Sequence, residues 1–277
     1  IMIKYQVPAT TANLGIGFDC LGMALNIYDY FEVEYNDIFN LNGFISDSIE
    51  DNLFIYSYKK ACEYKHNDIK PIKVKCIANV PVSRGLGSSS CMIVGGIYAY
   101  NILNNNCLSK EEMLEIATEI EGHPDNVAPC IYGGLCVSSD NSTLKLKVSN
   151  KWHFGVFIPP YEVRTEDARK VIKSNIDRND AVSNIANAIK TIYALEHFDK
   201  KHILSITKDR IHEPYRKPLI KDFNNFQSTA LKAGALALVI SGSGSTCLTV
   251  SDKRLDIDEY FQNVKVDKEG VKCLKSS

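Results

Sequence analysis

The sequence predicts an α+β protein built in two parts. Three observations carry that prediction. The first half is rich in strand patterns and holds two helical ones. The second half mixes strands and helices without the regular alternation of a parallel βαβ sheet. A polar run at residues 138–142 lies between them. On that basis the chain divides at residue 150, into parts 1–150 and 151–277.

Taken in order, residues 4–7 and 27–34 are strand candidates. Residues 72–77 alternate Ile-Lys-Val-Lys-Cys-Ile, the period of a half-buried strand. Residues 88–103 form a helical stretch that is apolar all round, as expected of a buried helix. Residues 109–121 are an amphipathic helix opened by a capping box, Ser109 with Glu112. Leu114 and Ala117 make its inward face, flanked by Met113 and Ile120. After the polar run, residues 152–158 read as a strand stopped by Pro159-Pro160. Helical patterns follow at 165–173, 180–197, 199–211 and 218–232. Strands at 235–240 and 246–250 flank a glycine-serine loop.

Composition bounds the function. Hydrophobic residues make up 45% and charged residues 23% of the 277 positions, values of a globular chain with a real core. The 32 Lys and Arg nearly balance the 33 Asp and Glu, so no net field draws nucleic acid or an anionic membrane. No basic run, zinc-finger spacing or membrane-length apolar stretch occurs, and no signal-peptide core follows Met2. Nine scattered cysteines, an odd number without a C-x-x-C pair, fit a reducing cytoplasm better than a disulfide framework.

Four segments carry candidate chemistry. Gly85-Leu86-Gly87 leads into Ser88-Ser89-Ser90 at the start of the apolar helix. The glycines allow a tight turn, and the serines stand beside free N–H groups at the positive end of the helix dipole, a ready anion site. Neither a G-x-x-x-x-G-K-[ST] loop nor a G-x-G-x-x-G fingerprint is present, so the P-loop and Rossmann patterns are excluded. The opening loop carries Asn13 and Asp19, which serve equally as Asx-type turn formers or as partners for an amine or hydroxyl. Glu121 continues the inward face of its helix, where a carboxylate needs pairing or a cation, or else the helix frays before Gly122 and leaves it in water; His123, Asp125 and Asn126 follow it closely. Ser241-Gly242-Ser243-Gly244-Ser245 lets backbone approach a ligand closely, or is a flexible loop. Arg164, Arg169, Arg210 and Arg216 are candidate partners for carboxylate or phosphate.

These segments, in this order, resemble the GHMP kinases. Gly85 to Ser89 is similar to the family's phosphate loop and Ser241 to Gly244 to its C-terminal glycine motif. Pro8 to Gly15 with Gly17-Phe18-Asp19, and Glu121 to Pro129, are closest to the members that phosphorylate homoserine. Thr165, Ala168-Arg169 and Asp209 to Arg216 also match, so the resemblance spans nearly the whole chain. Thr11, Ile16, Ser90 and Ser245 depart from the commoner residues without removing a group assigned to chemistry.

The resemblance implies a two-domain fold, with a ribosomal protein S5 domain 2-like N-terminal domain and a ferredoxin-like C-terminal domain. It implies transfer of the γ-phosphoryl group of ATP to the hydroxyl of L-homoserine on the route to threonine, in a cleft between the domains. It also implies Mg2+ held by Ser89 and Glu121, and ATP against Pro81, Arg84 and the backbone of Gly85, Leu86, Gly87, Ser88 and Ser89. Asn52 contacts adenine on this reading. Asn13, Asp19, His123 and Asn126 surround the substrate's amino and hydroxyl groups, Arg169 and Arg216 hold its carboxylate, and Gly242 and Gly244 close the pocket. Asn126 stands where mevalonate-phosphorylating members carry an aspartate, which leaves Asp125 as the nearest carboxylate for a catalytic role beside Glu121 and Arg169. The alternatives are another acceptor alcohol, such as mevalonate or shikimate, or a ligand sensor without turnover. The family suggests a homodimer.

Overall fold

The computed structural model describes residues 2–45, 48–139 and 142–274. Its elements run β1 (Ile3–Ala12), β2 (Leu21–Tyr35), β3 (Asn40–Asn42), α1 (Leu53–Tyr64), β4 (Ile72–Ile77), α2 (Ser88–Leu103), α3 (Lys110–Glu121), α4 (Pro124–Tyr132), β5 (Leu135–Ser139) and β6 (Ser142–Leu146). They continue with β7 (His153–Phe157), α5 (Thr165–Lys170), α6 (Arg178–His197), α7 (Glu213–Arg216), α8 (Phe223–Ala233), β8 (Ala237–Ile240), β9 (Cys247–Ser251), β10 (Phe261–Val264) and β11 (Lys272–Cys273).

Two sheets organise these elements. The first has the order β11-β1-β2-β4-β3, with the β5–β6 hairpin paired to the other end of β2. The second is antiparallel, in the order β10-β7-β9-β8. The mixture is α+β, as expected. Of the polar run at 138–142, Ser139 pairs with Ser142 at the end of the β5–β6 ladder, and Asp140 and Asn141 lie outside the described residues. The passage to the second sheet follows at residues 147–152. The chain then returns, since β11 pairs with Tyr5 and Gln6 at the edge of the first sheet.

Strand β1 runs five residues past the expected stop at position 7, through Pro8 to Ala12. The register with β2 shifts between Pro8 and Ala9, so the missing proline N–H falls at a bulge where the ladder is already interrupted. The bulge bends β2, which pairs with β4 through residues 30–35 and with β5 through 21–23. Helices α1 and α3 pack on α2, which lies over β1 and β2. Gly96 permits the α1–α2 contact, because a Cβ there would stand 2.1 Å from the Phe54 carbonyl oxygen.

Two stretches depart from the sequence pattern. Residues 199–211 do not form an α-helix; only a 3-10 turn at Ile203–Thr207 remains. The Asp209 carboxylate accepts the N–H groups of Ile211, His212 and Glu213, and Asn184 Oδ1 accepts that of Arg210. Side chains thereby replace the helical ladder. Conversely, α4 forms over a segment for which the sequence pattern offered no helix, despite Pro129 inside it. The Asp125 carbonyl that Pro129 leaves without a helical donor lies against Gly22, where a Cβ would stand only 1.7 Å away.

That contact predicts a steric contrast. Gly22→Ala forces α4 off β2 and lowers stability by about 2–3 kcal/mol. Gly122→Ala meets nothing within 4 Å and carries only the strain of φ +87°, a loss of about 1 kcal/mol. Urea unfolding of the two variants, compared at equal m-value, measures the difference.

Candidate active site

Helix α2 begins without a side-chain cap. Its N-cap is Gly87, at φ 71°, so the first-turn N–H groups have neither a helical nor a capping acceptor. They open onto a cleft of about 290 Å³ between the two sheets. The loop leading to them is held on both sides. Thr10 N–H donates to the Leu86 carbonyl at 3.0 Å and Thr246 N–H to that of Arg84 at 3.1 Å. The Ser241 hydroxyl lies 2.6 Å from the Gly85 carbonyl and 2.8 Å from Thr11 Oγ1. Contacts this close require glycine: a Cβ on Gly85 would stand 2.1 Å from the Ser241 carbonyl, and one on Gly87 2.1 Å from Thr10 Oγ1. Further back, Asn79 and Val80 N–H donate to Asp29, whose carboxyl burial pushes up to about 6.

Glu121 is the last residue of α3, and Gly122 closes the helix in the left-handed region at φ 87°. The side chain turns inward and its Oε1 accepts both the Ser89 hydroxyl, at 2.7 Å, and the Ser90 hydroxyl, at 2.9 Å. A carboxylate with two hydroxyls beside free helix N–H groups is a hard-oxygen donor set suited to a divalent cation shared with phosphates. Ser90 was not among the expected ligands.

The opposite wall is charged. Arg169 makes a fork with Asp19, Nη1 to Oδ2 at 3.0 Å and Nη2 to Oδ1 at 2.9 Å. Arg216 is buried, donating Nε–H to the Ala168 carbonyl and Nη1–H to that of Gly242. Burial, and then the charge of Arg169, lower its pKa to about 10, which leaves it charged at neutral pH. Both guanidinium groups lie over the Phe18 ring, at 5.9 and 5.2 Å. His212, stacked on Phe18, donates from Nε2 to the Gly15 carbonyl and faces Arg216 with Nδ1. Burial lowers its pKa to about 4, so it stays neutral and accepts the guanidinium's approach.

Between these walls lie His123, Asp125 and Asn126. His123 Nδ1 is 2.5 Å from the buried Asp125 carboxylate. Burial works to lower the histidine pKa, but the hydrogen bond and charge of Asp125 lift it above 6.5 on balance. Asn126 Oδ1 accepts the Thr10 hydroxyl at 2.7 Å, and its amide nitrogen has no partner among the described residues.

Most expected site residues line the one cleft: Asn13, Asp19, Gly85, Gly87, Ser88 and Ser89, with Glu121, His123, Asp125, Asn126, Arg169, Arg216 and Gly242. Asn13 does so as a holder, since Nδ2 donates to Gly242 and Oδ1 accepts Asp19 N–H. Pro81, Arg84, Leu86 and Gly244 do not line it. Arg84 instead donates to the Pro159 carbonyl, which ties the loop to the second sheet, and Gly244 packs near Ile220. Asn52 caps α1 through Ile55 N–H and borders an adjoining apolar cavity of about 320 Å³. That cavity shares Ser83, Ser88 and Ser89 with the cleft. Arg164 and Arg210 are exposed and paired with Asp167 and Asp180, away from the cleft. Sequence reasoning missed Ser83 and Ser243, small polar residues whose only signal is their place near the glycines, and Thr10, which reaches the site through Asn126.

An uncapped helix N-terminus beside a carboxylate, facing a mixed-charge pocket across a two-sheet cleft, describes a small-molecule phosphotransferase. The chain matches the GHMP kinases N terminal domain over residues 52–134 and the GHMP kinases C terminal domain over 181–265. It belongs to the GHMP kinase family, which implies ATP as phosphoryl donor. A homoserine kinase of Clostridium acetobutylicum is 39% identical over 94% of this chain and 90% of its own length. One of Caldicellulosiruptor saccharolyticus is 38% identical over 96% and 88%. Among solved structures, a homoserine kinase from Cytophaga hutchinsonii superposes with a TM-score of 0.88 at 29% identity, covering 99% of this chain and 97% of the other. The mevalonate kinase of Methanococcus jannaschii, at 15% identity and a TM-score of 0.73, shares the fold.

The His123–Asp125 contact yields a titration prediction. Because the folded histidine pKa is raised, the pair adds stability that is fully present below the unfolded value of 6.5 and is lost as pH rises through the folded one. Asp125→Asn removes the main opposing influence to burial, and the His123 pKa then falls below 6.5. Imidazole chemical shifts followed against pH measure the change.

Proposed function

We propose that this kinase transfers the γ-phosphoryl group of ATP to the side-chain hydroxyl of L-homoserine, forming O-phospho-L-homoserine. The observation that carries the reading is the wall opposite the α2 N-terminus. Two guanidinium groups and one carboxylate face the same small volume. A zwitterionic amino acid satisfies such a wall: its carboxylate pairs with Arg169 and Arg216, and its ammonium with Asp19. The Asp19–Arg169 fork satisfies both groups until the substrate exchanges into it. Mevalonate and shikimate offer no cation to Asp19. The full-length homoserine kinase relatives support the same choice.

The nucleotide phosphates lie against the N–H groups of Gly85 to Ser89, where the dipole of α2 favours negative charge. The adjoining apolar cavity beside Phe54 and Met92 suits the purine, with Asn52 at its border. Glu121 with Ser89 and Ser90 fits Mg2+, which supplies charge neutralisation at the phosphates when bound. The remaining work belongs to positioning. Thr10 fixes Asn126 so that its amide nitrogen faces the cleft as a donor. His123 is oriented by Asp125, its Nδ1 2.5 Å from that carboxylate. Asn126, an amide, does not accept the hydroxyl proton. A loose phosphoryl transfer needs little activation of its nucleophile, so orientation and charge carry the rate. Free thiols at all nine cysteines support a reducing, cytoplasmic setting.

ADP release from Mg-ATP against L-homoserine, mevalonate, shikimate and galactose tests the acceptor. Turnover is expected with L-homoserine alone; turnover with another alcohol instead removes the amino-acid pocket from the reading. Among variants, Glu121→Gln loses about 100-fold or more in kcat. Asp125→Asn, which acts through His123, loses about tenfold. Equal losses in the two purified variants would discredit that ranking.

A further inference from the structure

A buried carboxylate holds the backbone where the first sheet gives way to the phosphate loop. The β2–β4 ladder ends with Tyr30 opposite Ile77, and the chain beyond leaves the sheet. Asp29, the next residue on β2, reaches after it from the buried face that also carries Phe31 and Val33. Its Oδ1 accepts the successive N–H groups of Asn79, at 2.7 Å, and Val80, at 2.9 Å, a two-donor nest closed on a carboxylate. The Tyr28 carbonyl takes the Asn79 side-chain amide at 2.9 Å. Asp29 is fully buried, and its Oδ2 has no hydrogen-bond partner among the described residues. A carboxylate so placed is costly, and packing alone would be served by an apolar side chain. Fixing the N–H groups of residues 79 and 80 is the work that needs an acceptor.

The connection 78–87 is held in two separate halves. Residues 84–87 are clamped from β1 and from the second sheet, by Thr10, Ser241 and Thr246 and by Arg84 on the Pro159 carbonyl. Residues 78–83 share none of those anchors. Besides Asp29 and Tyr28, they are reached among the described residues only by the Val163 N–H, 3.4 Å from the Ser83 carbonyl. The two halves also face different volumes. Residues 85 and 87 open on the cleft, whereas Ala78, Val80, Val82 and Ser83 form one wall of the adjoining apolar cavity of about 320 Å³.

We propose that Asp29 is a positioning residue for the nucleotide base: by holding Asn79 and Val80 it sets the wall against which the purine packs, while residues 84–87 place the phosphates independently. This role rests on the purine occupying the adjoining cavity, and it is independent of which alcohol accepts the phosphoryl group. Asp29 touches neither nucleotide nor acceptor, so it acts through the backbone that it holds. Affinity for the base and affinity for the phosphates therefore separate when Asp29 is replaced.

Isothermal titration of the full chain with Mg-ATP and, separately, with Mg-tripolyphosphate reads the two affinities without any acceptor. Asp29→Ala is expected to weaken Mg-ATP about tenfold, through the loss of two charge-assisted hydrogen bonds, and to leave tripolyphosphate within about twofold. Asp29→Asn keeps an oxygen for both N–H groups and restores ATP affinity to within about threefold of the wild type. Asn79 is exposed, and Asn79→Ala removes only the Tyr28 anchor. That variant weakens ATP about threefold and keeps the test decisive should Asp29→Ala fold poorly. Ala78→Trp, which sets an indole against the cavity, weakens ATP and spares tripolyphosphate. Equal losses for ATP and tripolyphosphate in Asp29→Ala make the carboxylate a general support of the loop and overturn the proposal, as does unchanged ATP affinity. ATP affinity untouched by Ala78→Trp removes the purine from the cavity, and the role of Asp29 with it. A loss in Ala78→Trp beside an unaffected Asp29→Ala keeps the cavity and sinks the role of Asp29 alone.

Discussion

Everything in the cleft depends on the N-terminus of α2 being held in place by its neighbours and left uncapped. The helix is apolar over its whole length, so the core holds it without help from its own ends. That frees the first turn from needing a capping side chain. The backbone preceding it is instead fixed from outside, by Thr10 on β1 and by Ser241 and Thr246 on the glycine-serine segment of the second sheet. The anion site is consequently a product of both sheets. Its geometry rests on close contacts with the Ser241 carbonyl and the Thr10 hydroxyl that only glycine at 85 and 87 allows.

The charged residues around that site are arranged by the same economy of partners. Each is held by a neighbour that limits what it can do. Glu121 collects two hydroxyls, Asp125 collects His123, and Asp19 collects Arg169. His212 is kept neutral by burial, so Arg216 can sit beside it without a second positive charge. The result is a small volume in which Asp19 is paired with Arg169 and Asp125 with His123, while Arg216 and Glu121 are held by uncharged partners alone among the described residues.

Helix α6 links this wall to the exterior. Asn184 on its inner face holds the Asp209–Arg210 turn, and Asp209 in turn holds the backbone of His212 and Glu213. The wall that carries Arg216 thus stands on α6.

Local pattern determined a good deal on its own. The alternation at 72–77, the apolar run at 88–103 and the capping box of Ser109 and Glu112 are each local, and each reappears at its expected place. Glu121 was legible as an inward carboxylate because helical period alone puts it on the buried face. What sequence left open needed partners distant along the chain. Pro8 lies inside a strand because a bulge already interrupts the ladder there, and Pro129 inside a helix because Gly22 leaves room for the Asp125 carbonyl. Residues 199–211 fail to be helical because Asp209 and Asn184 take the backbone donors first. Whether Asn13 binds a ligand or holds a loop, and whether Arg169 or Arg210 faces the cleft, were likewise tertiary decisions. A side chain's residue type sets what it can bond to, but only the fold sets which partner reaches it first.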